Sequence, residues 1–67
     1  MDNLKRLLFE KTELWSEIRD KSESETGLYG ATTMFCTQIL NAYFSIIVEA
    51  GLYDEYQEWR KERRNQS

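Results

Sequence analysis

The chain has 67 residues, with 9 basic and 12 acidic side chains and a net charge of −3, so it is one domain at most and lies where a single hydrophobic core is marginal. Chains this short usually gain stability from disulfides, a structural metal or a second subunit. The single cysteine, Cys36, and the lack of histidine exclude an intrachain disulfide and a Cys/His zinc site within one chain. Self-association is the remaining route.

The first segment, from about residue 3 to about residue 22, has the periodicity of an amphipathic helix. Six apolar side chains fall within an arc of roughly 120° on a helical projection. They are Leu4, Leu7, Leu8, Leu14, Trp15 and Ile18. Lys11 lies in the same arc, and Phe9 points elsewhere. The pattern predicts one packing face made by these six residues.

A polar stretch, residues 22–27, ends in Gly27 and offers serine and threonine as capping residues. We expect it to be the turn between two helices. Because a short turn makes neighbouring helices antiparallel, the sequence predicts a helical hairpin.

The second segment, about residues 29–50, contains no charged residue between Glu25 and Glu49. As a helix it is apolar over an arc of roughly 220°, which leaves only a narrow stripe for water. One neighbouring helix cannot cover so wide a face. The rest must pack on the C-terminal segment, on a second copy of the chain or on a foreign partner.

The third segment, about residues 52–64, places Leu52, Tyr56 and Trp59 on one stripe. If the second helix continued through Gly51, this stripe would fall on its polar side, so the pattern favours a break at Gly51. A continuous rod that reaches a second subunit is the alternative.

Catalytic chemistry has no visible basis in the sequence. Without histidine, a Gly-rich phosphate loop or a nucleophile beside a base, no catalytic, cofactor or metal site can be named. Glu13 and Glu17 share a helix face, as solvated carboxylates often do. Cys36 falls in the apolar arc of the second helix and is expected to be buried. We therefore predict that the protein is not an enzyme.

The fold predicted is all-α: a helical hairpin plus a short C-terminal helix, assembled as a homodimeric helical bundle. The function predicted is regulatory or inhibitory protein binding, with a second copy and an unidentified protein as partners. The predicted self-association and partner-binding residues are apolar or aromatic. They are Phe35, Ile39, Leu40, Tyr43, Phe44, Ile47, Val48, Leu52, Tyr56 and Trp59.

Three alternatives stay open. The first is a nucleic-acid-associated module that uses the basic end of the third helix, and the second is a structural or assembly subunit. The basic residues are Arg60, Lys61, Arg63 and Arg64, beside which acidic residues cancel the charge. The third is a membrane span over residues 26–48, which is not favoured because this run contains many polar residues.

The compartment expected is the cytoplasm. A secreted module of this size would be expected to carry several cysteines, and the first ten residues lack a signal-peptide pattern. In size, helical simplicity and lack of catalytic chemistry the chain resembles small accessory proteins of phages and other mobile elements. That resemblance implies binding to a host protein.

Overall fold

The computed structural model describes residues 2–66, which form three α-helices and no strand. Helix α1 is Asn3–Thr26, α2 is Ala31–Glu49 and α3 is Tyr53–Gln66. Contacts between α1 and α2 pair Ser22 with Thr33 and Arg19 with Thr37. Residue numbers thus run in opposite directions along the two helices. The predicted all-α class is confirmed, and α1 and α2 form the antiparallel hairpin.

Helix α1 continues to Thr26, four residues past the predicted end near residue 22. In its polar last turn the Thr26 hydroxyl donates a hydrogen bond to the Ser22 carbonyl at 2.9 Å. The chain then leaves the helix at Gly27, whose φ of 86° suits a residue without a Cβ. The connection to α2 is therefore confined to the four residues before Ala31.

The predicted break at Gly51 is present, and α2 and α3 are separate helices. Gly51 has φ 70°, its N–H donates to the Val48 carbonyl, and the Leu52 N–H donates to the Ile47 carbonyl. This pair of bonds is the Schellman motif, which ends a helix and satisfies its last carbonyls. Leu52 also packs beside Ile47 in the core, as the motif requires. The chain direction consequently reverses at Gly51.

Helix α3 folds back along α1 and closes one end of the hairpin. Ion pairs join Lys5 to Glu55 at 2.9 Å and Glu13 to Arg60 at 3.0 Å. Since both partners increase in number together, α3 runs in the same direction as α1. Acidic residues in its first turn and arginines in its last turn suit the helix dipole.

The core lies where α3 meets the hairpin, and Phe9, Ile47 and Tyr56 form its centre, each with no exposed surface. Four partly buried side chains pack around this centre: Leu8, Phe44, Leu52 and Trp59. The rings make tilted, edge-on and stacked contacts, among them Phe9 to Tyr56 at 5.2 Å and Phe44 to Tyr56 at 5.9 Å between centroids. We call this cluster the aromatic core.

The prediction for the packing face of α1 was correct only in part. Leu8 packs against the aromatic core, and Trp15 and Ile18 are partly buried. Phe9, expected to point elsewhere, is fully buried, whereas Leu4, Leu7 and Leu14 are 75%, 49% and 44% exposed. The buried face also contains Thr12 and Ser22, small polar residues whose hydroxyls are hydrogen-bonded inside the chain. The pattern of hydrophobic residues alone therefore predicted only part of the buried face of α1.

Candidate protein-binding surfaces

Six of the ten residues predicted to bind a partner take part in the fold of the single chain. Leu40, Ile47 and Tyr56 are buried, with 6%, 0% and 0% of their surfaces exposed. Phe44, Leu52 and Trp59 pack against the aromatic core and are partly buried. Leu40, Ile47 and Tyr56 are core residues and are not available to a partner in this fold. The apolar arc of α2 is wide even without these core residues, so the prediction that one helix cannot cover it does not depend on them.

The other four predicted residues reach the surface of α2. Phe35 and Val48 are 59% and 58% exposed, and Ile39 and Tyr43 are of intermediate burial. Ile46 is also exposed, although it was not among the predicted binding residues. Its signal was present in the sequence, because it lies within the wide apolar arc of this helix.

One row on α2 contains Phe35, Ile39 and Ile46 from these positions, together with Ala42. The four residues follow one another at spacings of four, three and four residues, which keeps them on one side of a helix. At about 100° per residue the row is centred roughly 120° away from the buried row of α2. We call this row the α2 stripe; Phe35, Ala42 and Ile46 are exposed, and Ile39 is partly buried.

The neighbourhood of the α2 stripe is apolar near its N-terminal end. The Trp15 ring of α1 meets the Phe35 ring edge-on, with centroids 6.4 Å apart. Exposed Leu28 and Tyr29 lie in the turn before α2, and exposed Tyr53 begins α3 beyond the other end. The Trp15 ring therefore adjoins the stripe at Phe35.

A second surface feature is the mainly polar groove between α1 and α3, with a volume of about 610 Å³. Leu7, Leu14 and Trp59 line it, and the Arg63 guanidinium lies 5.2 Å from the Trp59 ring centroid. Charged side chains complete the lining: Glu10, Lys11, Glu17, Glu62 and Arg63. Sequence reasoning missed this groove, and its one signal was Lys11 inside the apolar arc of α1.

A polar cluster fastens α3 to α1 beside the aromatic core. The Tyr56 hydroxyl donates a hydrogen bond to Glu13 Oε2 at 3.1 Å, and Arg60 forms its ion pair with the same oxygen. Burial, followed by the charge and hydrogen bond of Glu13, raises the pKa of Tyr56 to about 12, although Arg60 acts in the opposite direction. The cluster holds its own members together, which is a structural role.

The four residues predicted to contact nucleic acid have different environments in the structure. Arg60 is paired with Glu13 and lies 5.6 Å from the Tyr56 ring centroid, and Arg63 lies over Trp59. Lys61 and Arg64 are exposed. The structure thus engages Arg60 and Arg63 within the chain, and it does not gather the four cations into one uninterrupted basic face.

Helix α2 is long and apolar enough, by length and composition alone, to cross a membrane, with a mean hydropathy of 1.3. This is weak evidence, because buried helices and signal sequences share these properties. In the fold described here, α2 packs along the charged helix α1 and contacts the charged helix α3.

The described residues contain no group of three or more potential metal ligands from His, Cys, Asp and Glu. Cys36 is buried, with 1% of its surface exposed, as expected for a small apolar side chain. Comparison with protein-family models, with curated proteins and with solved structures found no match.

Proposed function

We propose that the protein is a non-enzymatic protein-binding module whose first partner is a second copy of itself, with a regulatory or inhibitory effect on a further protein. One observation carries the proposal. Among the described residues, ten large hydrophobic side chains are exposed by 44% to 83%, whereas five hydrophobic side chains are buried. A chain with more apolar residues outside than inside gains from covering them.

The marginal stability expected of a single chain of this size also favours association. A core of this size in a 67-residue chain leaves little margin against the conformational entropy of unfolding. Each 100 Å² of apolar surface removed from water contributes about 2.5 kcal/mol before the costs of association. Covering the exposed face of α2 would therefore add stability that the single chain lacks.

The binding role is favoured over catalysis by what the polar groups do. Glu13, Tyr56 and Arg60 form the cluster that connects two helices: Glu13 accepts the hydrogen bond of Tyr56 and forms an ion pair with Arg60. The polar contacts between Ser22 and Thr33 and between Arg19 and Thr37 join α1 to α2 in the same way. These groups position helices, and the surface they support is apolar.

Association in solution is the test. The untagged chain would be purified without detergent, and its mass measured by light scattering over a wide range of concentrations at low and high salt. We expect a dimer or larger closed oligomer at high concentration, and raising the salt should not dissociate it, because apolar contacts are not screened.

Four results would count against the proposal. A monomer at every concentration that also captures no protein from the source cell would overturn it. Retention of an oligonucleotide that weakens steeply as salt rises would favour the nucleic-acid alternative. Recovery only in detergent would favour a membrane role for α2. Growth of the assembly without limit would favour the structural subunit.

A further inference from the structure

We infer that two copies pair through the α2 stripe in an antiparallel, two-fold arrangement. In this pairing Phe35 of one copy faces Ile46 of the other, and Ile39 faces Ala42. The inference rests on the proposed self-association and adds to it a surface and a register.

The spacing of the α2 stripe is the first argument. Its steps of four, three and four residues read the same in both directions along the helix. A two-fold antiparallel pair centred between residues 40 and 41 therefore places each stripe residue opposite another stripe residue. Knobs from one helix then fit between residues of the other, as in packed helix pairs with a repeat of alternating three and four residues. At the centre, the large Ile39 meets the small Ala42, which lets the helices approach closely.

The ends of the row decide between antiparallel and parallel pairing. Continued by the same steps, the row reaches Thr32 at one end and Glu49 at the other, and both are exposed. An antiparallel pair places the Thr32 hydroxyl opposite the Glu49 carboxylate at both ends. A parallel pair in register places the two Glu49 carboxylates opposite each other, and like charges at this separation repel. The antiparallel arrangement is the better fit.

Charge favours a second copy as the occupant. No charged residue lies between Glu25 and Glu49, so pairing along the stripe removes no charge from water. A foreign partner with a basic face would find no opposite charge along the stripe. A second α2 presents the same uncharged surface, so each copy covers the apolar side chains of the other.

The required area sets the extent of the contact. A stable dimer buries about 800 Å² on each partner, which is about a sixth of the 5009 Å² that the chain exposes. Four stripe residues are too few, so the contact must include their apolar neighbours. Trp15 of α1 lies against Phe35, so the contact extends from α2 onto α1 at this point. The interface is thus hairpin against hairpin, a four-helix contact.

Paired cysteines test the register. Thr32→Cys and Glu49→Cys would be prepared as separate variants, mixed and oxidised, with the unmodified chain as control because its Cys36 is buried. The mixture should give a disulfide-linked dimer at about tenfold the yield of either variant alone. In each single variant the two new cysteines lie about 25 Å apart along the paired helices, too far for a disulfide. Equal yields from a single variant and the mixture would overturn the antiparallel register.

A charge placed in the stripe tests the surface. Ile46 and Met34 are 52% and 50% exposed on different sides of α2, so Ile46→Glu and Met34→Glu are matched in exposure. Ile46→Glu should raise the dimer dissociation constant at least about tenfold, whereas Met34→Glu should change it less than about twofold.

The two proposals fail differently. Dimers that survive Ile46→Glu and give no mixed disulfide would overturn this pairing and leave protein binding intact. A wild-type chain that stays monomeric would overturn the self-association on which the pairing rests.

Discussion

The two ends of the α1–α2 hairpin are built differently. At the end closed by α3, Phe9, Ile47 and Tyr56 are fully buried in the aromatic core. At the end near the turn, the buried contact is the hydrogen bond from the Thr33 hydroxyl to Ser22 Oγ at 3.0 Å, and large apolar residues such as Phe35 stay outside. One end therefore holds the fold together, and the other offers apolar surface to a partner.

The largest loss of stability is expected from a substitution at the end of the hairpin that α3 closes. Phe9→Ala should reduce the free energy of unfolding by about 3–5 kcal/mol, because it removes a buried ring and leaves a cavity. Leu7→Ala, on the half-exposed side of the same helix, should change it by less than about 0.5 kcal/mol. Urea unfolding followed by circular dichroism compares the two. A larger loss for Leu7→Ala would mean that the original prediction for the α1 face was correct after all.

The buried face of α1 was predicted only in part, and the reason is physical. A buried face made of Phe9, Thr12 and Ser22 has little hydrophobic signal, because small hydroxyl side chains become buried only when the fold supplies their hydrogen bonds. By contrast, Gly51 predicted the end of α2 correctly, since a positive φ is a local requirement of the backbone. Helices and breaks are local properties, whereas the choice of buried face depends on contacts distant in sequence.

The candidate surface was predictable only in outline. The wide apolar arc of α2 predicted that one helix could not cover it, and the exposure of Phe35 and Ile46 agrees with that arc. Which part of the arc is covered depends on where α1 and α3 pack against α2. Leu40 and Ile47 lie on the covered side, and no feature of their own sequence distinguishes them from Ile46.

A smaller effect is expected where α3 is fastened to α1. Glu13→Ala removes the acceptor of the buried Tyr56 hydroxyl and the partner of Arg60, which should cost about 1–3 kcal/mol. Glu17→Ala, at an exposed position one turn further along the same helix, is the control. Equal stability of the two variants, measured by urea unfolding, would show that the cluster does not hold α3 in place.

A substitution at the turn end of the hairpin should reduce the stability less than substitutions at the closed end do. Thr33→Val keeps the shape of the side chain but removes the hydroxyl that donates to Ser22, with an expected loss of about 0.5–1.5 kcal/mol. Thr32→Val, at the exposed neighbouring position, should have almost no effect. Thermal unfolding at a concentration that keeps the chain monomeric measures both. A loss as large as that of Phe9→Ala would contradict the difference between the two ends.

A further effect appears only at high pH. Because the pKa of Tyr56 is raised to about 12 from an ordinary 10.0, the folded state binds the phenolic proton more tightly than the unfolded state does. The resulting stability is fully present below pH 10 and is lost as the pH rises toward 12. Tyr56→Phe cannot ionise, so it should lose less stability over this interval. Unfolding curves for both chains from pH 8 to 12 test this, and parallel declines would contradict it.

Oxidative footprinting read by mass spectrometry tests the central claim most directly, because it reports which side chains become covered as the protein associates. The wild-type chain would be labelled by hydroxyl radicals below and above the concentration at which its mass increases. We expect Phe35 and Ile46 to lose reactivity at high concentration while Leu4 and Met34 keep theirs. Protection of Leu4, Leu7 and Leu14 instead, with Phe35 and Ile46 unchanged, would contradict the assignment of the binding surface to α2.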